Sequence, residues 1–287
     1  MKTVLVTGAT SGIGLAVCRT FLHAGYRVLG VSRTEERCMS LQNSLQAEFP
    51  DAAISIFHAD LSQQREVNRL ADLLGKFLEQ TAEGKLSALI NNAGCVRQRY
   101  MTTAEGYEQQ FAVNHLAGFL LTHRMLPYLK RAGGRILFTG SNSHKHTRIH
   151  WDDIMYQRRY RPLMAYKQSK LCNLLTAYEI RTAYAEDGIS SYVVDPGLVK
   201  TEIGFKQTGS LVEMVWKFRC AQGCDPSVPA ETYLYLCERI PAPEGLYYHA
   251  CQTQKYSRAV RKDNADRLFR LSERLCGITF GQKEGVQ

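Results

Sequence analysis

The sequence predicts an α/β domain in which a parallel β-sheet is covered by helices on both faces. Short runs rich in Val, Ile and Leu alternate along the chain with longer amphipathic stretches. The short runs are apolar almost throughout, which is typical of strands that are buried on both faces of a parallel sheet. Regular alternation of strand and helix indicates right-handed βαβ units that are wound into one sheet.

Each element can be placed from its pattern. Strands are predicted at residues 2–7, 27–32, 53–58, 86–90, 135–139, 189–194 and 245–249. Helices are predicted at residues 12–24, 34–48, 62–82, about 103–130, about 162–187, 226–239 and about 258–276. The third helix is the clearest, since Val67, Leu70, Leu74 and Leu78 recur at the three- and four-residue spacing of one helix face. No repeat or linker interrupts the pattern, so residues 1–287 are predicted to form a single-domain, Rossmann-type doubly wound fold.

Composition narrows the classes of protein. Hydrophobic residues make up 45% of the chain and charged residues 22%, as in ordinary globular domains. We expect no transmembrane segment and no signal peptide, because no apolar run is long enough and the first strand begins at once. Nine scattered cysteines without metal-ligand spacing favour a reducing, cytoplasmic location and no metal. The net charge of +9 lies in short clusters, so no nucleic-acid partner is expected.

The loop after the first strand is suited to a ligand that approaches the backbone closely. Its residues are Gly8, Thr10, Ser11, Gly12, Ile13 and Gly14. Three missing Cβ atoms and the positive end of a helix dipole together favour a bound pyrophosphate. In a doubly wound sheet this is also where ligands bind, beyond the carboxyl ends of the strands. The loop therefore predicts a dinucleotide site.

The same loop resembles the Thr-Gly-x-x-x-Gly-Ile-Gly motif of the short-chain dehydrogenases/reductases. Other motifs of that family follow in order: Asp60-Leu61, Asn91-Asn92-Ala93-Gly94, Asn114, Ser141, Tyr166-x-x-x-Lys170 and Pro196-Gly197-x-x-x-Thr201. The resemblance covers essentially the whole chain. The residues around Asn114, the 25-residue separation of Ser141 and Tyr166, and the ending Glu244-Gly-Leu-Tyr-Tyr248 look like retinol-dehydrogenase-type members. The N-terminal membrane anchor of many animal members is not in the sequence.

The resemblance implies a nicotinamide dinucleotide and the residues that bind it. Beyond the glycine-rich loop these are Ser32, Arg33, Asp60, Leu61, Asn92, Ala93, Gly94, Tyr166, Lys170, Pro196, Gly197, Val199 and Thr201. Asp60 would hydrogen-bond the adenine, or it would only precede a helix that Ser62 caps. Asn92, like Asn91, would contact the cofactor or only tie the loop backbone together. Residues 1–140 would mainly bind the cofactor, and residues 141–287 would carry catalysis and substrate binding, with a lid at about 198–224.

The end of the second strand predicts NADPH rather than NADH. An NAD-preferring enzyme usually has an acidic residue there, which binds the ribose hydroxyls and repels a 2′-phosphate. This chain has Ser32 and Arg33 instead, and an arginine can donate charge-assisted hydrogen bonds to that phosphate. Arg37 would help Arg33 to bind the 2′-phosphate, or would simply be an exposed helix residue. NADPH in a reducing compartment in turn predicts carbonyl reduction.

Four residues are implied as catalytic: Asn114, Ser141, Tyr166 and Lys170. Tyr166 and Lys170 are four residues apart and so share a helix face. The lysine ammonium, with a positive nicotinamide ring, is expected to lower the Tyr166 pKa so that the phenol exchanges protons near neutral pH. Ser141 would hydrogen-bond the substrate oxygen, with Ser143 as its rival. Asn114 is implied to sit at a helix kink and to connect to the lysine through water.

The expected substrate is a small lipophilic aldehyde or ketone. The predicted pocket residues are Ser143, Trp151, Tyr160, Met214 and Trp216, unless the aromatic ones are ordinary core. Residues 211–218 would belong to the lid, or would form a helix that rests on a membrane surface. Two alternative functions are reduction of an activated double bond and a non-catalytic, NADPH-binding sensor or scaffold. A homo-oligomer is compatible with the family.

Overall fold

The computed structural model describes residues 1–199 and 223–281, and its centre is an eight-stranded sheet. The strands are β1 (Thr3–Thr7), β2 (Arg27–Ser32), β3 (Ile54–His58), β4 (Ala88–Asn91), β5 (Arg135–Thr139), β6 (Ser190–Val194), β7 (Tyr247–His249) and β8 (Gln252–Thr253). Their order in the sheet is β3-β2-β1-β4-β5-β6-β7-β8, and only β8 runs antiparallel to its neighbour. The predicted doubly wound α/β fold is confirmed.

Helices cover both faces of this sheet. They are α1 (Gly12–His23), α2 (Glu35–Glu48), α3 (Gln64–Thr81), α4 (Gln109–Phe111, Ala112–Leu116 and Ala117–Ala132 in succession), α5 (Pro162–Ala183), α6 (Ser227–Glu238) and α7 (Lys262–Cys276). One hydrophobic cluster joins the sheet to α3, α4, α5 and α7, and includes Leu70, Phe119 and Leu268. A second cluster, which includes Val17 and Tyr233, packs α1, α2 and α6 against the other face. None of the described helices is long and apolar enough to cross a membrane.

The fourth helix begins later than the sequence predicts and changes its winding near its start. A turn bridges Thr102 and Glu108, and Gly106 within it has a φ of 83°. The Glu108 carboxylate accepts hydrogen bonds from the backbone N–H groups of Gln110 and Phe111, so it caps the helix that follows. Five residues, Ala112–Leu116, are then wound as a π-helix with Asn114 in their middle. The predicted kink at Asn114 is this π-turn.

Two features near the C-terminus also differ from the prediction. The last helix begins at Lys262 rather than near 258, because Val260 closes a turn on Ser257 and Arg261 has extended backbone. The short strand β8 was not predicted, since two exposed residues carry no recognisable strand pattern.

The sheet order determines where a ligand can bind. β1 pairs with β2 on one side and with β4 on the other, so the direction of winding reverses at β1. The loops that leave β1 and β4 consequently turn to opposite faces, which opens a crevice between them.

Candidate active site

A cleft of about 680 Å³ lies at the carboxyl ends of the strands. Its walls come from the loops after β1 to β6, so every predicted cofactor motif contributes to it. Of the residues named from the sequence, Gly8, Thr10, Ser11, Gly12, Ile13, Ser32, Arg33, Arg37, Asp60, Leu61, Asn92, Ala93, Gly94, Ser141, Tyr166, Lys170, Pro196, Gly197 and Val199 line it. Thr201, Met214, Trp216 and residues 211–218 lie outside the described residues, as does most of the predicted lid.

The first loop brings backbone to the cleft without intervening side chains. Gly8 has a φ of 68°, a left-handed conformation that glycine adopts without strain. A Cβ on Gly14 would lie 2.1 Å from the Gly8 carbonyl oxygen, so the helix can begin this close only with glycine. Ser11 precedes α1 but its side chain caps no N–H group, and the first turn of α1 contains no acid. The helix N-terminus therefore offers unpaired donors and its positive dipole end, which suits a pyrophosphate.

A basic and an acidic residue lie at the end of the cleft beside β2 and β3. Arg33 is exposed, and its backbone carbonyl accepts a hydrogen bond from His58 Nε2 at 2.9 Å. Burial acts to raise the pKa of Asp60, but hydrogen bonds from Ser62 and Gln63 and the charge of Arg33 lower it overall. The Asp60 carboxylate accepts the Ser62 backbone N–H at 3.0 Å, so it forms the turn before α3 itself rather than leaving this to Ser62.

The Asn92 side chain holds three strand ends together. Its Nδ2 donates to the Thr7 carbonyl at 3.0 Å, and its Oδ1 accepts from Thr139 Oγ1 at 3.1 Å. Asn91 donates to Thr122 on α4 at 3.0 Å. Asn92 thus fixes the loop backbone, one of the two alternatives that the sequence left open, and also lines the cleft, whereas Asn91 ties β4 to α4.

Tyr166 and Ser141 meet on the wall of the cleft. Tyr166 lies in the first two turns of α5, and Ser141 is the second residue after β5. Their hydroxyl groups share a hydrogen bond, which acts to lower the Tyr166 pKa. The rival residue, Ser143, donates its hydroxyl to Ser141 Oγ at 3.0 Å and does not line the cleft that the described residues form. Ser141 is therefore the better placed of the two serines.

Lys170 is buried below Tyr166, with only 4% of its surface exposed. Its Nζ donates to the Thr139 carbonyl at 2.9 Å and lies 5.6 Å from the centre of the Tyr166 ring. Burial lowers the pKa of Lys170 to about 8. The ammonium therefore stays predominantly protonated at neutral pH.

Asn114, in the middle of the π-turn, is held by three side-chain hydrogen bonds. Its Oδ1 accepts the Cys95 N–H at 2.7 Å, and its Nδ2 donates to the Cys95 carbonyl and to Ser169 Oγ, each at 3.0 Å. A Cβ on Gly94 would lie 3.3 Å from Asn114 Oδ1 and 3.7 Å from Lys170 Nζ. Asn114 and Lys170 are consequently close across Gly94, although they share no direct hydrogen bond.

The chain's own groups raise the pKa of Tyr166, whereas the lowering expected from the sequence also includes the charge of a nicotinamide ring. Burial raises it to about 12; the hydrogen bond from Ser141 counteracts this, and the charge of Asp195 adds to it. The charge of Lys170 does not offset the effect of burial on the Tyr166 pKa, since the Lys170 Nζ faces the Thr139 carbonyl rather than the phenol. With the chain's own groups alone, Tyr166 is a protonated acid at neutral pH.

Two aromatic residues predicted for the pocket lie elsewhere. Trp151 packs against the hydrophobic cluster, and the Arg267 guanidinium stacks 4.3 Å from its ring centre. Tyr160 places its hydroxyl 2.9 Å from the Glu108 carboxylate and 2.7 Å from the Gln110 amide nitrogen. Neither residue lines the cleft formed by residues 1–199 and 223–281, because each is held by polar or cationic partners behind it.

A buried network behind Ser141 was not found from the sequence. The Asp195 carboxylate, at the end of β6, accepts the Tyr247 hydroxyl at 2.6 Å and the Gly197 N–H at 3.0 Å. The Tyr247 ring lies edge-on to His144, 4.8 Å between centres. His144 Nδ1 donates to the Ser141 carbonyl at 2.6 Å and its Nε2 accepts the Ser257 N–H, so the ring is neutral. The only sequence signal was an acid directly before the Pro196-Gly197 motif.

Comparison with known proteins agrees with this geometry. The family model described as short chain dehydrogenase matches residues 2–209. Mouse retinol dehydrogenase 12 is 34% identical over 283 residues, which cover 97% of this chain and 87% of the relative. Human retinol dehydrogenase 13 is 31% identical, over 96% of this chain and 85% of the relative. The chain belongs to the short-chain dehydrogenase family and is retinol-dehydrogenase-like within it.

Solved structures share the fold. A protein of Mycobacterium paratuberculosis superposes with a TM-score of 0.74 at 25% identity, covering 98% of this chain and 95% of its own. The NADPH-bound carbonyl reductase from chicken fatty liver superposes with a TM-score of 0.66 at 22% identity, over 88% of this chain and 98% of that one. Family membership makes this chain an oxidoreductase that uses a nicotinamide dinucleotide for hydride transfer at an alcohol or carbonyl carbon.

Proposed function

We propose that this protein reduces the carbonyl group of small lipophilic aldehydes or ketones with NADPH, and catalyses the reverse alcohol oxidation when conditions favour it. The observation that carries the proposal is a single cleft in which Arg33 lies at one end and Tyr166, Ser141 and Lys170 at the other. The reducing cytoplasm is proposed as its location, and all eight described cysteines have free thiols. The cofactor preference, like the residue roles that follow, is part of this proposal.

The residues fit the cofactor in two places. The loop Gly8–Gly14 would bind the pyrophosphate through backbone N–H groups at the start of α1. Arg33, with Ser32 beside it, would bind the 2′-phosphate, since a guanidinium forms strong bonds to phosphate. When bound, the cofactor supplies the hydride.

Each catalytic side chain would have one task at the substrate. The Ser141 hydroxyl would donate a hydrogen bond to the carbonyl oxygen, where negative charge develops. The Tyr166 hydroxyl would transfer its proton to that same oxygen, and its pKa of about 12 keeps it protonated for this purpose. Lys170 would stabilise the phenolate that remains, because its ammonium lies beside the Tyr166 ring. Asn114 would position Lys170 through the backbone at Cys95 and through Ser169.

A panel of carbonyl compounds tests the proposal. Purified protein is expected to oxidise NADPH in the presence of a lipophilic aldehyde or ketone, and to do so faster than with an activated alkene of the same skeleton. Faster turnover of the alkene would support the alternative function, reduction of an activated double bond. If the protein binds NADPH and turns over none of the panel, the non-catalytic sensor becomes the better account.

The charge of Asp195 predicts a change in pH dependence. Asp195→Asn removes a charge that raises the Tyr166 pKa, so the variant's pKa should be lower and more phenolate should be present at any given pH below it. Alcohol oxidation requires the phenolate as base, so its rising limb should move to lower pH and its rate at pH 8 should increase relative to wild type. Tyr247→Phe is the matched control, because it removes the hydrogen bond and keeps the charge. Equal shifts in both variants would mean that Asp195 acts only through packing.

A further inference from the structure

One cation of the cleft has no task in the reaction described above. Arg97 lies in the loop after β4, three residues beyond Gly94, and lines the cleft with Met101 and Gln109. Three residues of chain span at most about 11 Å, and Gly94 itself approaches Lys170 Nζ. Between them in this loop, the Cys95 N–H donates to Asn114 Oδ1 at 2.7 Å. Arg97 therefore belongs to the loop that borders the reacting end of the cleft.

The structure holds Arg97 in place from both its backbone and its side chain. Its carbonyl oxygen accepts the Tyr160 hydroxyl at 3.2 Å, and its Nε donates to Gln109 Oε1 at 2.6 Å. Gln109 is itself fixed by its N–H, which donates to the Met101 carbonyl at 2.9 Å. The guanidinium is thus partly buried and oriented before any ligand binds.

Arg97 has no ion-pair partner in the described part of the chain. Within residues 1–199 and 223–281, no carboxylate forms an ion pair with Arg97, and its terminal nitrogens donate to no protein acceptor. The only acid on the described wall of the cleft is Asp60, which lies beside Arg33 at the other end. A partly buried guanidinium whose two terminal nitrogens have no acceptor among the described residues is suited to bidentate binding of a carboxylate.

We propose that the carbonyl substrate carries a carboxylate and that Arg97 binds it, while Tyr166 and Ser141 bind the carbonyl oxygen. This inference rests on the proposed reduction and narrows its substrate class to oxo acids. The apolar wall between the two ends, which includes Val96, Met101 and Val113, would contact the carbon skeleton that joins them.

Matched acids and esters test the substrate class. The wild-type protein with NADPH is assayed on 4-formylbenzoate against its methyl ester, and on 9-oxononanoate against its methyl ester. We expect kcat/KM to be at least about tenfold higher for one acid than for its ester, the difference that a charge-assisted bidentate pair supplies. Equal values for acid and ester in both pairs would overturn the proposal.

Arg97→Gln tests whether Arg97 is the residue that binds the carboxylate. Arg99→Gln, at an exposed residue nearby, is the matched control. Arg97→Gln should lower kcat/KM for the preferred acid about 10- to 100-fold and leave its ester within about twofold. Arg99→Gln should change neither. An equal loss on acid and ester, or a raised KM for NADPH as the sole effect of Arg97→Gln, would contradict the assignment.

Binding of benzoate separates this inference from the proposed reaction. Calorimetry on the NADPH-loaded protein should detect benzoate binding in wild type and Arg99→Gln, and a loss of at least about tenfold in affinity in Arg97→Gln. This readout needs no turnover, so it decides the role of Arg97 even if no carbonyl compound is reduced. Equal affinity in wild type and Arg97→Gln, or no binding to either, would show that Arg97 is not a carboxylate site.

Discussion

Replacing Tyr166 with Phe should lower kcat for carbonyl reduction by about 100- to 10,000-fold while NADPH binding changes little. The substitution removes one hydroxyl, which is the acid that the proposal assigns to the carbonyl oxygen. Burial keeps this hydroxyl protonated at neutral pH, with a pKa raised to about 12, and Ser141 lies beside it. The aromatic ring, and with it the packing beside Lys170, is retained.

The measurement for Tyr166→Phe is steady-state NADPH oxidation together with the dissociation constant of NADPH. Tyr256→Phe is the matched control, since it removes an exposed tyrosine hydroxyl that is not part of the cleft wall. Its rate should equal that of wild type. Turnover by Tyr166→Phe within a few fold of wild type would exclude Tyr166 as the proton donor.

Arg33→Asp should reverse the cofactor preference. The arginine side chain would bind the 2′-phosphate of NADPH, and an aspartate at the end of β2 would repel that phosphate and accept hydrogen bonds from the ribose hydroxyls of NADH. Loss of a charge-assisted contact worth about 1.5–3 kcal/mol, together with the new repulsion, predicts a change of at least about 100-fold in the ratio of kcat/KM values for the two cofactors.

Arg37→Asp tests whether any change of charge at this end of the cleft alters the cofactor preference, or only the loss of the specific Arg33 contact. Arg37 also lines the cleft, but it is an exposed residue in the first turn of α2. Its substitution introduces the same change of charge about one helical turn away and should alter the ratio by less than about tenfold, because exposed charges are screened. If Arg33→Asp leaves the ratio unchanged, NADPH preference does not depend on Arg33.

Predictions from the sequence were most accurate for elements whose apolar pattern matches their burial in the structure. Strands β1, β2, β4, β5 and β6 are apolar runs that are buried over nearly their whole length, and their predicted and observed bounds differ by two residues at most. The helix that begins at Gln109 was predicted too early because nothing in residues 103–108 shows that the Glu108 side chain turns inward to cap it. Caps of this kind depend on a side-chain direction that spacing does not specify.

In the site, too, the sequence predicted what the topology determines and not what depends on burial or on a distant residue. Gly8, Ser141, Tyr166 and Lys170 could be identified because each stands at a strand end or on a helix face, where topology brings them together. The direction of the Tyr166 pKa shift could not, since it depends on burial and on Asp195, a residue 29 positions away in the chain.

The aromatic residues after β5 show why loops resist prediction. Trp151 and Tyr160 have the chemistry of a lipophilic wall, but their partners, Arg267 and Glu108, come from distant parts of the chain. Arg97 belongs to none of the sequence motifs that identify the site. Its position on the cleft wall depends on Gln109, which the sequence does not connect to it.

The most direct test of the account is the destination of the transferred hydride. NADPH that carries deuterium at the reactive C4 position would be supplied with the carbonyl compound turned over fastest, and the product analysed by mass spectrometry and NMR. We expect one deuterium on the carbinol carbon of an alcohol product, and at most about 1% as much of this product from Tyr166→Phe over the same period. Deuterium at the carbon β to an intact carbonyl group would show reduction of a conjugated carbon–carbon double bond and would contradict the proposed reaction.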